Sequence, residues 1–361
     1  MFYAGCMTTA MGIMPHTDVG KALELALSLD IPFWPQLPRV SFFEDMYAQA
    51  SLNFPGVFID KENERVIFDT SRFEAELHAY SEKVADPETF ALSTDYSAVY
   101  HRFLAADLRK YPAVRGQLTG PVSFGFKTVD ENAKPVIYND GIRGILFDFF
   151  QRKANVQYHE LRQKNPNAFV WLDEPGLGWV FSSLTGYGDE QAKADYRDFL
   201  TGIEGPKALH LCANVNLPYL LDLGVDILSF DAYQIQAMPR EYARAAGGFL
   251  SKGGIMCWGI VPTDSTSLSR ETAGTLETQL AGYWEVVSRE SGIAPGQIAG
   301  QALLAPARCC LKNVGQVGAA GEPACQIPDG GRPSSVEERL VEKAFALLPE
   351  LSRMLRRRYG L

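Results

Sequence analysis

The chain has 361 residues, 46% of them hydrophobic and 21% charged, which is the composition of a globular protein able to bury a sizeable core. Its net charge of −9, with no basic run except Arg356-Arg357-Arg358 at the end of the last helix, argues against nucleic acid as a partner. No apolar run is long enough to span a membrane, residues 1–10 lack a signal-peptide pattern, and six cysteines are too sparse for a disulfide scaffold, so a cytoplasmic protein without a membrane partner is expected.

Apolar runs alternate with helical patterns along the whole chain. A first strand is expected over 4–11, then a helix capped by Thr17 or Asp18 and running to about Leu29. A second strand over 31–37 is punctuated by Pro32, Pro35 and Pro38, and a helix follows over 42–52. The runs 56–60 and 65–69 flank the polar turn 61–64 as a hairpin, and helical patterns follow at 72–84 and 96–110. This makes an insertion of about 54–111 between the second and third barrel strands.

Further strands are expected over 113–118, 168–172, 207–212, 226–230, 254–260 and 298–304. Helices are expected between them over 140–164, 189–201, 214–223, 240–251 and 269–290, with a Gly-rich loop over 176–188. Ser334 or Ser335 would cap the final helix, with Glu337 and Glu338 in its first turn. Eight buried strands, each followed by a helix, predict an α/β fold: one (β/α)8 TIM barrel spanning 1–361. No Gly-x-Gly-x-x-Gly turn supports the alternative of an open doubly wound sheet.

In such a barrel the active-site groups gather at the C-terminal ends of the strands. His210 and Cys212 fall two apart at one strand end, hence on one face. Asp173, Asp231 and Cys309 close three other strands. An imidazole and a thiolate make half of a tetrahedral zinc site at His210 and Cys212, and Asp231 and Cys309 are the best candidates for the other half. The competing readings are bland. His-x-Cys pairs are often only packed side chains, and the lesser reading of Asp173 with Glu174 is a cap and first-turn acid of the helix that follows. His16 reads as well as a solvated loop residue, and Trp34, Trp171, Trp179 and Trp258 as core filling. Cys6, Cys257 and Cys325 are read as buried or surface thiols.

Thr119-Gly120-Pro121, Asp173-Glu174-Pro175, His210-x-Cys212, the strand ending in Asp231 and Cys309-x-Leu311-Lys312 together resemble the catalytic domain of cobalamin-independent methionine synthase. More broadly, the chain is similar to the methionine synthase and uroporphyrinogen decarboxylase superfamily of barrels, which includes zinc-dependent methylcobalamin:thiol methyltransferases. The resemblance runs from Met11-Gly12 to Lys312. It implies that His210, Cys212 and Cys309 bind zinc, that Asp231 stands where the family has glutamate, and that Asp173 holds the acceptor's amino group. Being one methylene shorter, Asp231 would bind zinc directly or through water. Cys310 stands where the family has glycine and competes with Cys309 as a ligand.

Three departures bear on the substrates. Ile13 replaces a family serine, Gln36 replaces a glutamate, and the stretch Ile260-Val261-Pro262-Thr263 lacks the histidine that helps protonate a departing folate. The family's large N-terminal half is also missing. These features favour a methyl-corrinoid donor, either methylcobalamin or a corrinoid protein, over methyltetrahydrofolate. The expected activity is zinc-dependent methyl transfer to a small-molecule thiol such as homocysteine, with Asp173, Gln36, His16 and Thr119 as substrate contacts and Asp173 and Asp231 as catalytic residues. The alternatives are a folate-dependent homocysteine methyltransferase, a metal-free decarboxylase-like enzyme, or a corrinoid- or thiol-binding barrel without turnover. A decarboxylase is disfavoured because residues 11–16 contain no arginine.

Overall fold

The computed structural model describes residues 2–182, 186–212, 215–309 and 333–361. The described strands are β1 (Met7–Thr8), β2 (Val57–Asp60), β3 (Arg65–Phe68), β4 (Val114–Thr119), β5 (Ala168–Asp173), β6 (Lys207–Leu211), β7 (Ile227–Asp231), β8 (Ile255–Val261) and β9 (Ala302–Pro306). Seven of them form one curled parallel sheet in the order β1-β9-β8-β7-β6-β5-β4, while β2 and β3 make a separate antiparallel hairpin.

The helices are α1 (Val19–Leu27), α2 (Met46–Ser51), α3 (Thr70–Lys83), α4 (Ala98–Ala105), α5 (Pro121–Lys127), α6 (Asp140–Lys164), α7 (Asp189–Thr201), α8 (Leu217–Leu221), α9 (Arg240–Ser251), α10 (Ser265–Arg270), α11 (Ala273–Ser291), α12 (Pro295–Gly300) and α13 (Pro333–Tyr359). The architecture is that of a TIM-barrel-like α/β fold. Strands β4, β7, β8 and β9 are buried along their whole length, as parallel strands covered on both faces must be.

The second barrel strand is the irregular one. Its prolines cannot donate to a ladder, so residues 31–36 bond to their neighbours at single points rather than forming a regular strand. Ile31 N donates to Thr8 O and Gln36 N to Gly12 O on one side; Arg115 N donates to Pro32 O on the other. These bonds join the two edges of the seven-stranded sheet.

Two apolar clusters follow from the two faces. One lies between the sheet and the helices. The other fills the barrel with Met7, Phe169, Trp171, Ala208, Ile227, Ile255, Cys257 and Leu303 among others. Alternation along β5, β6 and β7 therefore turns Asp173, His210, Ser229 and Asp231 inward as well.

Several boundaries differ from the sequence expectation. The first strand shrinks to two residues because Gly5 and Cys6 take positive φ of 45° and 57°. The run 42–52 splits at Asp45, whose side chain caps α2. The pattern 269–290 likewise breaks at Glu271, so α10 and α11 are separate, with Thr272 capping α11. Residues 298–300 belong to α12, and the last strand begins only at Ala302. Helix α13 begins at Pro333, which places Ser334 and Ser335 inside it rather than at its cap. Glu337 and Glu338 lie beyond the first turn and bond Arg39 and Thr17 instead.

Candidate active site at the barrel mouth

Strand register builds the floor of the site. Thr119 pairs with Asp173, Asp173 with His210, His210 with Ser229, and Ser229 with Cys257. The five residues form one layer across β4 to β8. His210 is almost wholly buried, lies edge-on to Trp171 and shares a 3.0 Å hydrogen bond with Ser229 through Nδ1. That contact fixes the ring and leaves Nε2 as the nitrogen for a ligand. Burial, helped by Arg115, pushes the His210 pKa down to about 3, so the ring is neutral.

Under this layer sits Arg115, a fully buried guanidinium that sequence reasoning missed. It lies 4.3 Å from the Trp171 ring and 4.8 Å from the Phe33 ring. Nε donates to Thr9 Oγ1 at 3.1 Å, and Nη1 to Gln117 Oε1 and Gly116 O. The signal was present: Arg115 and Gln117 alternate on a strand whose other residues are apolar or small. Burial lowers its pKa to about 9, so it still carries a proton at neutral pH. Asp173 interacts electrostatically with Arg115. Desolvation nevertheless raises the Asp173 carboxyl to about 7.

One step nearer solvent stand Cys212, Asp231 and Cys309. Burial first, then the charges of Cys309 and Asp173, push the Cys212 thiol up to about 12. Arg308 acts on Cys212 in the opposite sense. Asp231, closing β7, is 2% exposed, and its Oδ2 accepts from Arg308 Nε at 2.6 Å. Its Oδ1 accepts from Gln234 N at 3.2 Å. Tyr47 on α2 completes the surroundings, with Glu174, Asp45, Asp173 and Cys212 all within electrostatic reach of its hydroxyl.

The other expected contacts make bonds or packing of their own. Thr119 shares the floor layer, but its hydroxyl donates to Met46 O. Gln36 is turned toward α2, where Nε2 donates to Gln49 Oε1 at 2.7 Å. His16 is fully buried beside α1 and α13, and the charged groups acting on it are Glu338, Lys21, Glu342 and Asp18. Glu174 is structural. It accepts from Val122 N, Ser123 N and Ser123 Oγ, holding the start of α5 rather than the helix after its own strand. Trp34, Trp171 and Trp258 are core residues, whereas Trp179 is 44% exposed. Cys310, Cys325, Leu311 and Lys312 lie outside the described residues.

The donor chemistry at the mouth suits zinc: an oriented neutral imidazole, two thiols and carboxylates. The spacing is open. Among the described residues no three His, Cys, Asp or Glu side chains are gathered closely enough to hold a metal ion.

No protein-family model matches the chain, and no curated protein matches it. Among solved structures it is similar to a B12-independent methionine synthase from Shewanella sp. W3-18-1 in complex with selenomethionine, at 13% identity and a TM-score of 0.45. The match covers 68% of this chain and 63% of that one, less than two thirds of its length. No helix among the described residues is long and apolar enough to cross a membrane.

Proposed function

We propose that the protein transfers a methyl group from a methyl-corrinoid to a thiol at the C-terminal mouth of the barrel, with zinc held by His210, Cys212 and Cys309. The observation that carries this reading is that the strand ends bring the Cys212 and Cys309 thiols within electrostatic reach of each other at the same mouth as the oriented His210 imidazole, over a floor that includes Asp173. Zinc bound there would ionise the acceptor thiol. A thiol with an ordinary pKa near ~8.5 is otherwise mostly protonated at neutral pH.

The chain's own residues supply the rest. Asp173 receives the acceptor's amino group, and Arg115 beneath it favours the ionised carboxylate. Ser229 holds the His210 ring. The Trp171 ring, buried inside the barrel beside His210, keeps water from the floor. The acceptor thiol would lose its proton to solvent and its sulfur would take the methyl group, the carbon–cobalt bonding pair staying with the departing corrinoid, so that charge and atoms balance. Closely held reactants account for much of the rate.

Two placements support a corrinoid over a folate. Gln36, at the family's glutamate position, is committed to Gln49. Residues 260–263 carry no imidazole to protonate a departing folate. The test is single-turnover transfer from methylcobalamin to homocysteine and other small thiols, followed at the cobalt absorbance. The expected result is thiol-dependent loss of the methyl-corrinoid spectrum in wild type and none in C309S, with C310S unaffected. Activity with methyltetrahydrofolate alone would contradict the donor, and loss in C310S with retention in C309S would contradict the ligand choice.

A further inference from the structure

The sequence expectation gives zinc a fourth donor in Asp231, yet this carboxylate already accepts a hydrogen bond at each oxygen. Oδ2 accepts from Arg308 Nε at 2.6 Å and Oδ1 from the Gln234 amide at 3.2 Å. Arg308 Nη2 donates at 3.2 Å to the side chain of the same Gln234, so the guanidinium grips both ends of the turn after β7. Asp231 is 2% exposed, and the pair is therefore shielded on the carboxylate side.

The chain carrying Arg308 is fixed from the other direction as well. Ala307 N donates to Val261 O at 2.7 Å, which ties the exit of β9 to the end of β8. Gly259 faces this exit. A Cβ there would lie 2.6 Å from Phe230 O and 3.1 Å from Ala307 Cα, so glycine lets the exit of β9 pack close to the end of β7. Cys309 is the next residue after Arg308.

We propose that Asp231 is a positioning residue and not a zinc ligand: it anchors Arg308, and through Arg308 the segment that presents Cys309 to Cys212, leaving the fourth coordination position to the incoming thiol. This rests on the zinc reading above. The shorter side chain at this position, aspartate where the resemblance has glutamate, matches a carboxylate that reaches Arg308 and stops. A guanidinium is suited to the task because its planar fork holds Asp231 and Gln234 at once, which an ammonium cannot do with the same geometry.

The experiment measures zinc affinity by chelator competition in wild type, D231N, R308Q and the double variant, and the visible spectrum of the cobalt(II)-substituted protein. D231N is isosteric and R308Q alters a half-exposed side chain; a thermal melt confirms that each is folded. The proposal expects each single change to weaken zinc by about tenfold to a hundredfold, the range for residues that orient ligands. The double variant should be no weaker than either single one, and D231N should leave the cobalt bands in place. R308K should restore only part of the loss.

A direct ligand would behave differently. D231N would weaken zinc and shift the cobalt bands, while R308Q would free the carboxylate and tighten binding. Either that pattern or additive losses would overturn the proposal while leaving the zinc reading intact. A wild-type protein that binds no zinc would overturn both.

Discussion

The Glu174 carboxylate occupies the space that a side chain at residue 120 would need. A Cβ on Gly120 would stand 2.1 Å from Glu174 Oε1. Thr119-Gly120-Pro121 and Asp173-Glu174-Pro175 are thus two halves of one joint. Glu174 reaches across from the end of β5 and satisfies the first amides of α5, where Pro121 has no amide to satisfy. Asp173, one residue earlier, is left to face the mouth. G120A should destabilise the protein by about 1–3 kcal/mol through overpacking. E174A, which strands two buried amides and a hydroxyl, should cost on the order of 3 kcal/mol. Urea unfolding of both variants checks this, and a neutral result for E174A would contradict the capping role.

Arg115 should matter for both the fold and the function. Removing one partner of a buried charge pair typically costs about 3–5 kcal/mol, and R115M would leave Asp173, Gln117 Oε1 and Gly116 O without their cation or donor. R115M should therefore melt well below the wild-type temperature. Arg115 favours the ionised form of Asp173, so its loss should raise the Asp173 pKa further above about 7. The acidic limb of the acceptor KM profile should then move to higher pH while zinc content is unchanged. An unmoved limb would remove Arg115 from the site.

Lys153 gives a pH dependence of stability. Its amine is buried against Leu52 O and the Phe149 ring, and desolvation lowers its pKa from 10.5 to about 7. Between pH 7 and 10.5 the unfolded chain holds a proton that the folded chain lacks, so this group makes stability rise with pH across that window. The slope is at most about 1.4 kcal/mol per pH unit. K153M should be more stable than wild type near pH 7, with the gap closing toward pH 10. Parallel stability curves for the two proteins would show that the amine is not shifted.

Much of the barrel was legible because a parallel strand buried on both faces is a continuous apolar run. The helices at 140–164, 189–201 and 240–251 also match the structure at both ends. The second strand and the first four residues of the last were misread because proline and hydrogen-bond geometry, not hydrophobicity, set their limits. At the mouth, Asp173, His210, Cys212 and Cys309 could be found from strand ends and residue chemistry. Ser229 could not, since its role depends on His210 in the next strand; Arg115 was signalled by its alternation with Gln117, but its place beside Asp173 and Trp171 was not. Arg308 was overlooked beside Cys309 because an arginine after a strand usually reads as solvated. Only the fold brings it back to Asp231.

The central claim is tested most directly by the zinc content of the purified protein, prepared under reducing, chelator-free conditions, and of its C212S variant. One zinc per chain in wild type, lost in C212S, is the predicted result. Wild-type protein without zinc, or C212S that retains a full equivalent, would contradict a zinc site built on His210, Cys212 and Cys309.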